Sequence, residues 1–336
     1  LTGVIARSEA TWQSWFFNYL QRQRLLHFVR NDNFFDFLRL HQDYITMKTW
    51  RYLDTGFSNG YENMAVDEAI YLSCQQGNSP PTIRLYGWTP PALSLGYFQK
   101  AGESVDLSAC AQRGIDVVRR LSGGRAVLHD QELTYSLICP EGMPPFGTTV
   151  LEAYKVIGEC LLHALKGFHL DVQWVPYRDK YVCLRHPHTR NVNCFSSPSW
   201  YEITIEGKKV CGSAQKRGGG TFLQHGSILL EHDEEILADV LCFKKGREDF
   251  LSELRSTTTS INRHLKVKVG FYELQARVLK SFEEHLGVTL NKGMLSEYEH
   301  ELKDRLLKEK YARSEWNLNA CHIHNNSVTN VKAHVA

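Results

Sequence analysis

The sequence predicts an α+β fold, and three observations carry it. From Met47 onward, short alternating apolar runs are interleaved with segments of helical spacing. After about residue 232 the pattern turns wholly helical. The 336 residues are 43% hydrophobic and 23% charged, an ordinary globular composition that excludes disorder as the dominant state. A chain this long buries roughly 75% of its unfolded surface. The expected layout is an upstream extension over 1–46, a catalytic-sized domain over 47–255, a helical appendage over 256–317 and a frayed tail over 318–336.

Residues 1–46 read differently from the rest. They hold 10 of the 38 Phe, Trp and Tyr residues, with no Lys and no Pro, and follow neither period 2 nor period 3.6. They lack the charged start and the cleavage site of a signal peptide. Met47-Lys48-Thr49-Trp50 looks like a natural beginning, so 1–46 is expected to be read-through sequence or a disordered extension.

The elements follow in order. Asn63 to Gln76 is expected as a helix, capped by Asn63 and stopped by Gly77. Thr82–Tyr86 and Ala92–Phe98 alternate as strands around a Pro90-Pro91 turn. Ile115–Arg120 is a strand running into a glycine loop, and Glu132–Cys139 is the next. In Thr149–Lys166, Thr149 and Glu152 form a capping box, and Val150, Tyr154, Ile157, Leu161 and Leu165 share a face. Tyr201–Ile205 and Lys208–Ser213 make a hairpin about Glu206-Gly207, and Ser227–Leu230 is a further strand. Phe271–His285 and Leu295–Tyr311 have helical spacing, with Glu301 and Arg305 placed to pair.

Composition narrows the function. The formal net charge is +2, far from a nucleic-acid-binding signature. No apolar run approaches the ~18 residues of a spanning helix, so neither nucleic acid nor membrane is an expected partner. Nine cysteines, an odd number with no C-x-x-C pair, fit reduced cytoplasmic thiols. Cys183, His186, His188 and Cys194 cluster, as do Cys321, His322 and His324. Neither set has paired zinc spacing, so no metal is expected.

Three motifs could carry chemistry. In Arg119-Arg120-Leu121-Ser122-Gly123-Gly124-Arg125, glycines let backbone N–H groups approach a ligand and arginines add charged donors. His129 and Asp130 follow it. Gly207-Lys208-Lys209-Val210-Cys211-Gly212-Ser213-Ala214-Gln215 is a hairpin strand whose small residues let a ligand lie close. Alternation places Lys208 and Lys209 on opposite faces, with Lys209 sharing its face with Cys211 and Ser213. In Asn193-Cys194-Phe195-Ser196-Ser197-Pro198-Ser199-Trp200-Tyr201, Cys194 sits on a polar loop. A nearby ammonium would keep such a thiol as thiolate, whereas a random cysteine is more often a buried small hydrophobe. His225 and Gly226 lead into a strand. A lone histidine there is more often structural.

Taken together, the Arg-Arg-x-Ser-Gly-Gly loop with its His-Asp exit, the Gly-Lys-Lys-Val-x-Gly-Ser-Ala hairpin and the Gln-His-Gly strand resemble the biotin/lipoate ligase superfamily. The likeness is closest to its lipoate-protein ligase A branch and, through CFSSPSWYEI and KYARSEWN, to octanoyltransferases that load the glycine cleavage H protein. It runs from Trp50 to about Asn317. The resemblance implies a mixed sheet with flanking helices and a tunnel for the acyl chain. It implies octanoyl transfer from octanoyl-acyl carrier protein to a lysine of the glycine cleavage H protein or another lipoyl domain. Cys194 matches the acyl-accepting cysteine and Lys209 the lysine that lowers its pKa. Arg119, Arg120, Ser122, Gly123, Gly124, Arg125, His129, Asp130, Gly212, Ser213, Ala214, Gln215, His225 and Gly226 match the substrate-binding walls. Arg125 replaces the third glycine of the ligase loop, and Tyr201-Glu202-Ile203 stands where ligases have Asn-Asp-Ile. Both departures touch the adenylate region, so no cofactor is expected. The alternatives are an ATP-dependent lipoate-protein ligase, an octanoyl amidotransferase between lipoyl domains, and a binding module without catalysis.

Overall fold

The computed structural model describes residues 48–175 and 202–319. The expectations for 1–46, for Cys194 and its loop, for both Cys/His clusters and for the tail lie wholly or almost wholly outside those residues.

β1 (Thr49–Ser58) leads into α1 (Gly60–Gln75), then β2 (Thr82–Trp88) and β3 (Ala92–Leu95). Two short helices, α2 (Ala101–Ser104) and α3 (Leu107–Gln112), precede β4 (Asp116–Arg119), β5 (Val127–His129) and β6 (Glu132–Pro140). α4 (Val150–Lys166) is followed by β7 (Val172–Val175), β8 (Glu202–Ile205), β9 (Lys208–Gly218) and β10 (Thr221–Leu229). The remainder is α5 (Glu234–Val240), α6 (Arg247–Thr257), α7 (Phe271–Leu286), β11 (Thr289–Lys292), α8 (Glu297–Leu306) and α9 (Ser314–Asn319), with a π-helical turn at Leu307–Tyr311.

Eight strands form one sheet in the order β11-β1-β2-β6-β10-β9-β8-β7, and three form a second in the order β4-β3-β5. β1 runs parallel to both β2 and β11, and β2 runs antiparallel to β6. The sheet is therefore mixed. Its two faces are set by alternation. Leu85, Tyr135, Leu137, Ile228 and Cys211 point into the main core under α4 and α7, beside Ile157, Leu161, Leu274 and Phe282. Arg84, Ser136 and His225 take the other face, towards α1.

Several local expectations meet their tertiary context here. The Thr149 capping box is present in full. α1 begins earlier than local reading suggests. Asn59 caps it, accepting from the Glu62 N–H at 2.9 Å. Asn63 lies inside the helix, fully buried, and donates to the carbonyls of Ser58 and Gly87. Residues 256–317, expected as a helical appendage, share the main core: α7 packs on α4, and β11 extends the sheet through Thr49↔Thr289. Asn317, the last residue before the expected frayed tail, is 4% exposed, and its side chain satisfies the Arg119 N–H.

Candidate functional site

The two sheets meet over a small, partly open pocket. Met64 of α1, Trp88 of β2, Ser94 of β3, Val127 and His129 of β5 and Thr134 of β6 form one side. Arg120 enters from the glycine loop. Gly212, Ser213 and Ala214 of β9 and His225, Gly226 and Ser227 of β10 form the other. Gly226 is required sterically: a Cβ there would stand 2.6 Å from the Gly212 carbonyl oxygen and 2.7 Å from Ser213 Oγ.

The glycine loop is built by Arg120. Its Nη2 donates to the carbonyls of Gly123 (2.9 Å) and Arg125 (2.7 Å), and its Nε to Ser122 Oγ (3.2 Å). Gly124 has φ +97°, and a Cβ there would meet Arg120 Nη2 at 2.8 Å. Arg119, by contrast, is wholly buried away from the pocket. Its guanidinium donates to the carbonyls of Gly96, Tyr97, Gln99, Trp316 and Asn317. Gln215 pairs with Gln224 at 2.9 Å and does not line the pocket. Asp130 also lies outside it. Burial, with the charges of Glu132 and Asp233, raises its carboxyl above the ordinary value.

Two carboxylate–imidazole–serine chains face this region. In the first, Asp67 Oδ2 lies 3.3 Å from His225 Nδ1, and His225 Nε2 lies 2.6 Å from Ser122 Oγ. Asp67 also accepts from Arg84 Nη1 (2.7 Å), Ser136 Oγ (2.9 Å) and Tyr86 OH (3.0 Å). Burial opposes the Asp67 charge, but Arg84 and His225 hold its carboxyl below the ordinary value. His225 is pushed down by burial despite Asp67. In the second chain, Glu132 Oε1 lies 2.8 Å from His129 Nδ1, and His129 Nε2 lies 2.7 Å from Ser94 Oγ.

Lys209 is 3% exposed, and its Nζ donates to Glu202 Oε1 at 2.8 Å. Its orientation corrects the sequence reading. Cys211 pairs with Ile203 but Lys209 pairs with Thr204, so one extra residue, Val210, is inserted in β9. A bulge of this kind re-aims the side chains that flank it. Val210 and Cys211 both enter the main core. Lys209 falls on the opposite face with Glu202 and Thr204, the face on which Gly212 and Ala214 meet the pocket. Strict alternation puts Lys209 with Cys211 on the ligand side; the bulge separates the two, sending Cys211 into the core and leaving Lys209 on the face of Gly212 and Ala214.

Sequence reasoning missed Ser94, Asp67, Glu132 and Glu202. Acidic residues inside otherwise apolar strands or helix faces were the available signal, and all three acids carry it. Ser94 gave none.

An eight-stranded mixed sheet packed beside a three-stranded one, with helices on both sides, is the catalytic fold of the lipoate ligases. The chain belongs to the lipoyl protein ligase A/B catalytic domain family, whose model matches residues 59–283. It is 44% identical to Octanoyltransferase LipM of Kyrpidia tusciae over 276 residues, covering 81% of this chain and 99% of that protein. It is 40% identical to Octanoyltransferase LipM of Bacillus subtilis over 274 residues, covering 80% and 98%. Among solved structures, it resembles a bi-partite lipoate protein ligase of Thermoplasma acidophilum with TM-score 0.66 and 25% identity, covering 86% of this chain and 99% of that one.

Proposed function

We propose that the chain carries an octanoyl group from octanoyl-acyl carrier protein to a lysine of the glycine cleavage H protein or another lipoyl domain, through a thioester on Cys194. The chain is an octanoyltransferase of protein lipoylation, as its relatives of matching length are named. The single observation that carries the cysteine route is Lys209, a buried lysine turned by a bulge onto the pocket face. An ammonium there is placed to stabilise a thiolate arriving at the pocket.

The described thiols support assigning the nucleophile elsewhere. Burial raises Cys74, Cys110, Cys139, Cys160, Cys211 and Cys242 above the ordinary thiol value. Cys211 is pushed up to about 12 even with Lys209 two residues away. None of these six is an activated thiol. All six are free, which fits work in the reducing cytoplasm. No helix among the described residues is long and apolar enough to cross a membrane.

In the first half-reaction the Cys194 thiolate attacks the donor thioester and the carrier thiol leaves. In the second, the acceptor amine attacks the new thioester and Cys194 leaves as thiolate. A thioester becomes an amide, which is downhill, so no nucleotide is needed. The test is intact-mass analysis after mixing with octanoyl-acyl carrier protein, with and without ATP. An octanoyl adduct without ATP, absent in Cys194→Ala, is the expected result. Turnover that survives Cys194→Ala, or that requires ATP, overturns the thioester route in favour of a ligase.

A further inference from the structure

We propose that Glu132, His129 and Ser94 form the proton path for the second half-reaction, taking the proton that the acceptor amine sheds as it attacks. This rests on the thioester reading above. A lysine ammonium ionises near 10.4, so roughly one in 2,500 is free amine at pH 7. After the amine adds to the carbonyl, its nitrogen still carries a proton that must leave before the C–S bond breaks productively. Lys209 is engaged with the Glu202 carboxylate and is not placed to accept it.

The two histidine chains differ in charge balance, and that difference selects one of them. Asp67 is saturated: four donors reach it, one the Arg84 guanidinium. Its histidine holds Ser122, which does not line the pocket. Glu132 is 1% exposed; its Oε1 accepts from His129 and Thr134 Oγ1, and its Oε2 has no hydrogen-bond partner among the described residues. Among the described residues its one ion-pair partner is His129. A buried carboxylate left half-satisfied is costly, and a proton arriving on His129 would set a positive charge beside it at Oε1.

Geometry supplies the rest of the path. Glu132 accepts from His129 Nδ1–H, so Nε2 is the basic nitrogen and Ser94 Oγ–H donates to it. Ser94 Oγ also accepts from Arg120 Nη1 at 3.0 Å. A hydroxyl accepts twice, which leaves one lone pair of Ser94 for the substrate, and both Ser94 and His129 line the pocket. Trp88 stacks on the imidazole at 4.0 Å and 14°, fixing its plane. The charged and titratable groups near His129 are Glu132, Arg120 and His225, with Asp130 next to it in the chain.

The step balances as follows. The ammonium gives one proton to solvent on entering the site. The amine nitrogen bonds to the thioester carbon. Its remaining surplus proton passes to Ser94 Oγ as Ser94 passes its own to His129 Nε2. The C–S bond then breaks, the amide forms, and Cys194 leaves as thiolate. His129 returns its proton to solvent as product departs.

The experiment separates the two half-reactions in His129→Gln, Ser94→Ala and Glu132→Gln. Formation of the octanoyl adduct on Cys194 is timed by intact mass, and circular dichroism reports that each variant is folded. Transfer from the adduct is then timed to an acceptor lysine peptide and to hydroxylamine. Hydroxylamine is uncharged at neutral pH, and its adduct is acidic enough to lose a proton to water unaided. Expected are near-normal adduct formation, lysine transfer slowed by about 10²–10⁴-fold in His129→Gln, and hydroxylamine transfer largely spared. Lysine transfer at the unsubstituted rate, or an equal loss with both nucleophiles, overturns the proton path. Variants that fold but form no adduct overturn it too, because the residues then serve the first step. No adduct in the unsubstituted chain overturns the thioester reading itself, and is seen before any variant is made.

Discussion

Replacing Asp67 by Leu removes the acceptor at the centre of the α1–β2–β10 junction. Arg84 is 1% exposed and would lose its carboxylate partner at 2.7 Å while keeping the Asn63 carbonyl, Asn63 Oδ1 and Thr55 Oγ1. Tyr86, Ser136 and His225 each lose an acceptor in the interior. Breaking a buried pair by removing one partner costs about 3–5 kcal/mol, a melting-temperature loss of roughly 10 °C for a domain of this size. Pairing Asp67→Leu with Arg84→Met removes both charges, and the double variant should be more stable than Asp67→Leu alone. The assay is urea unfolding of the single and double variants. Acid adds an independent check. The folded-state value of Asp67 is depressed, so its contribution is fully present above the ordinary carboxylate range near 3.9 and is lost as pH falls through the folded value. The unsubstituted chain should therefore lose more stability on acidification than Asp67→Leu. A loss under about 1 kcal/mol, or single-variant losses that simply add, would refute the coupling.

Gly226→Ala should destabilise by about 1–3 kcal/mol or more, because its Cβ would meet the Gly212 backbone rather than a movable side chain; an unchanged urea midpoint would mean that β9 and β10 sit further apart. Lys209→Ala should slow iodoacetamide alkylation of Cys194 near neutral pH, with recovery at higher pH, while Lys208→Ala changes little. The measurement is rate against pH with the Cys194→Ala background subtracted, and an unmoved Lys209→Ala profile removes Lys209 as activator. Asn317→Ala breaks bonds to Arg119 N, Tyr311 O and Arg313 O and should cost about 1–3 kcal/mol in thermal unfolding.

What local physics decides could be read before the structure. The Thr149 box, the Glu206-Gly207 hairpin and the glycine loop depend on residues a few positions apart, and their chemistry is written in order along the chain. Lys209 shows where that reading ends. Strict alternation groups it with Cys211, which the structure sends to the other face, because a single inserted residue is invisible to a period of two. Asp67 and Glu132 read only as acids in a helix turn and at a strand start. Their meaning comes from partners on other elements: Asp67 is 17 residues from Arg84 and 158 from His225. Arg119 and Arg120 look alike in sequence, yet one braces backbone far from the pocket and the other shapes its rim. Nothing local distinguishes them, since the carbonyls of Trp316 and Asn317 decide Arg119's direction from nearly 200 residues away.

That last brace has a consequence for how the protein comes into being. A ribosome adding about 5–20 residues per second needs roughly 10–40 s to go from Arg119 to Asn317, and β11, which closes the parallel edge of β1, emerges late in the same interval. Until then β1 is an open strand edge of the kind that invites pairing with other nascent chains, and Arg119 lacks its clamp. Bracing of the Gly96–Gln99 backbone by Arg119 is thus a late event governed by very long-range closures, which fold slowly. A message broken before the codon for Trp316 yields a chain with nearly every site residue in place and Arg119 without its C-terminal partners.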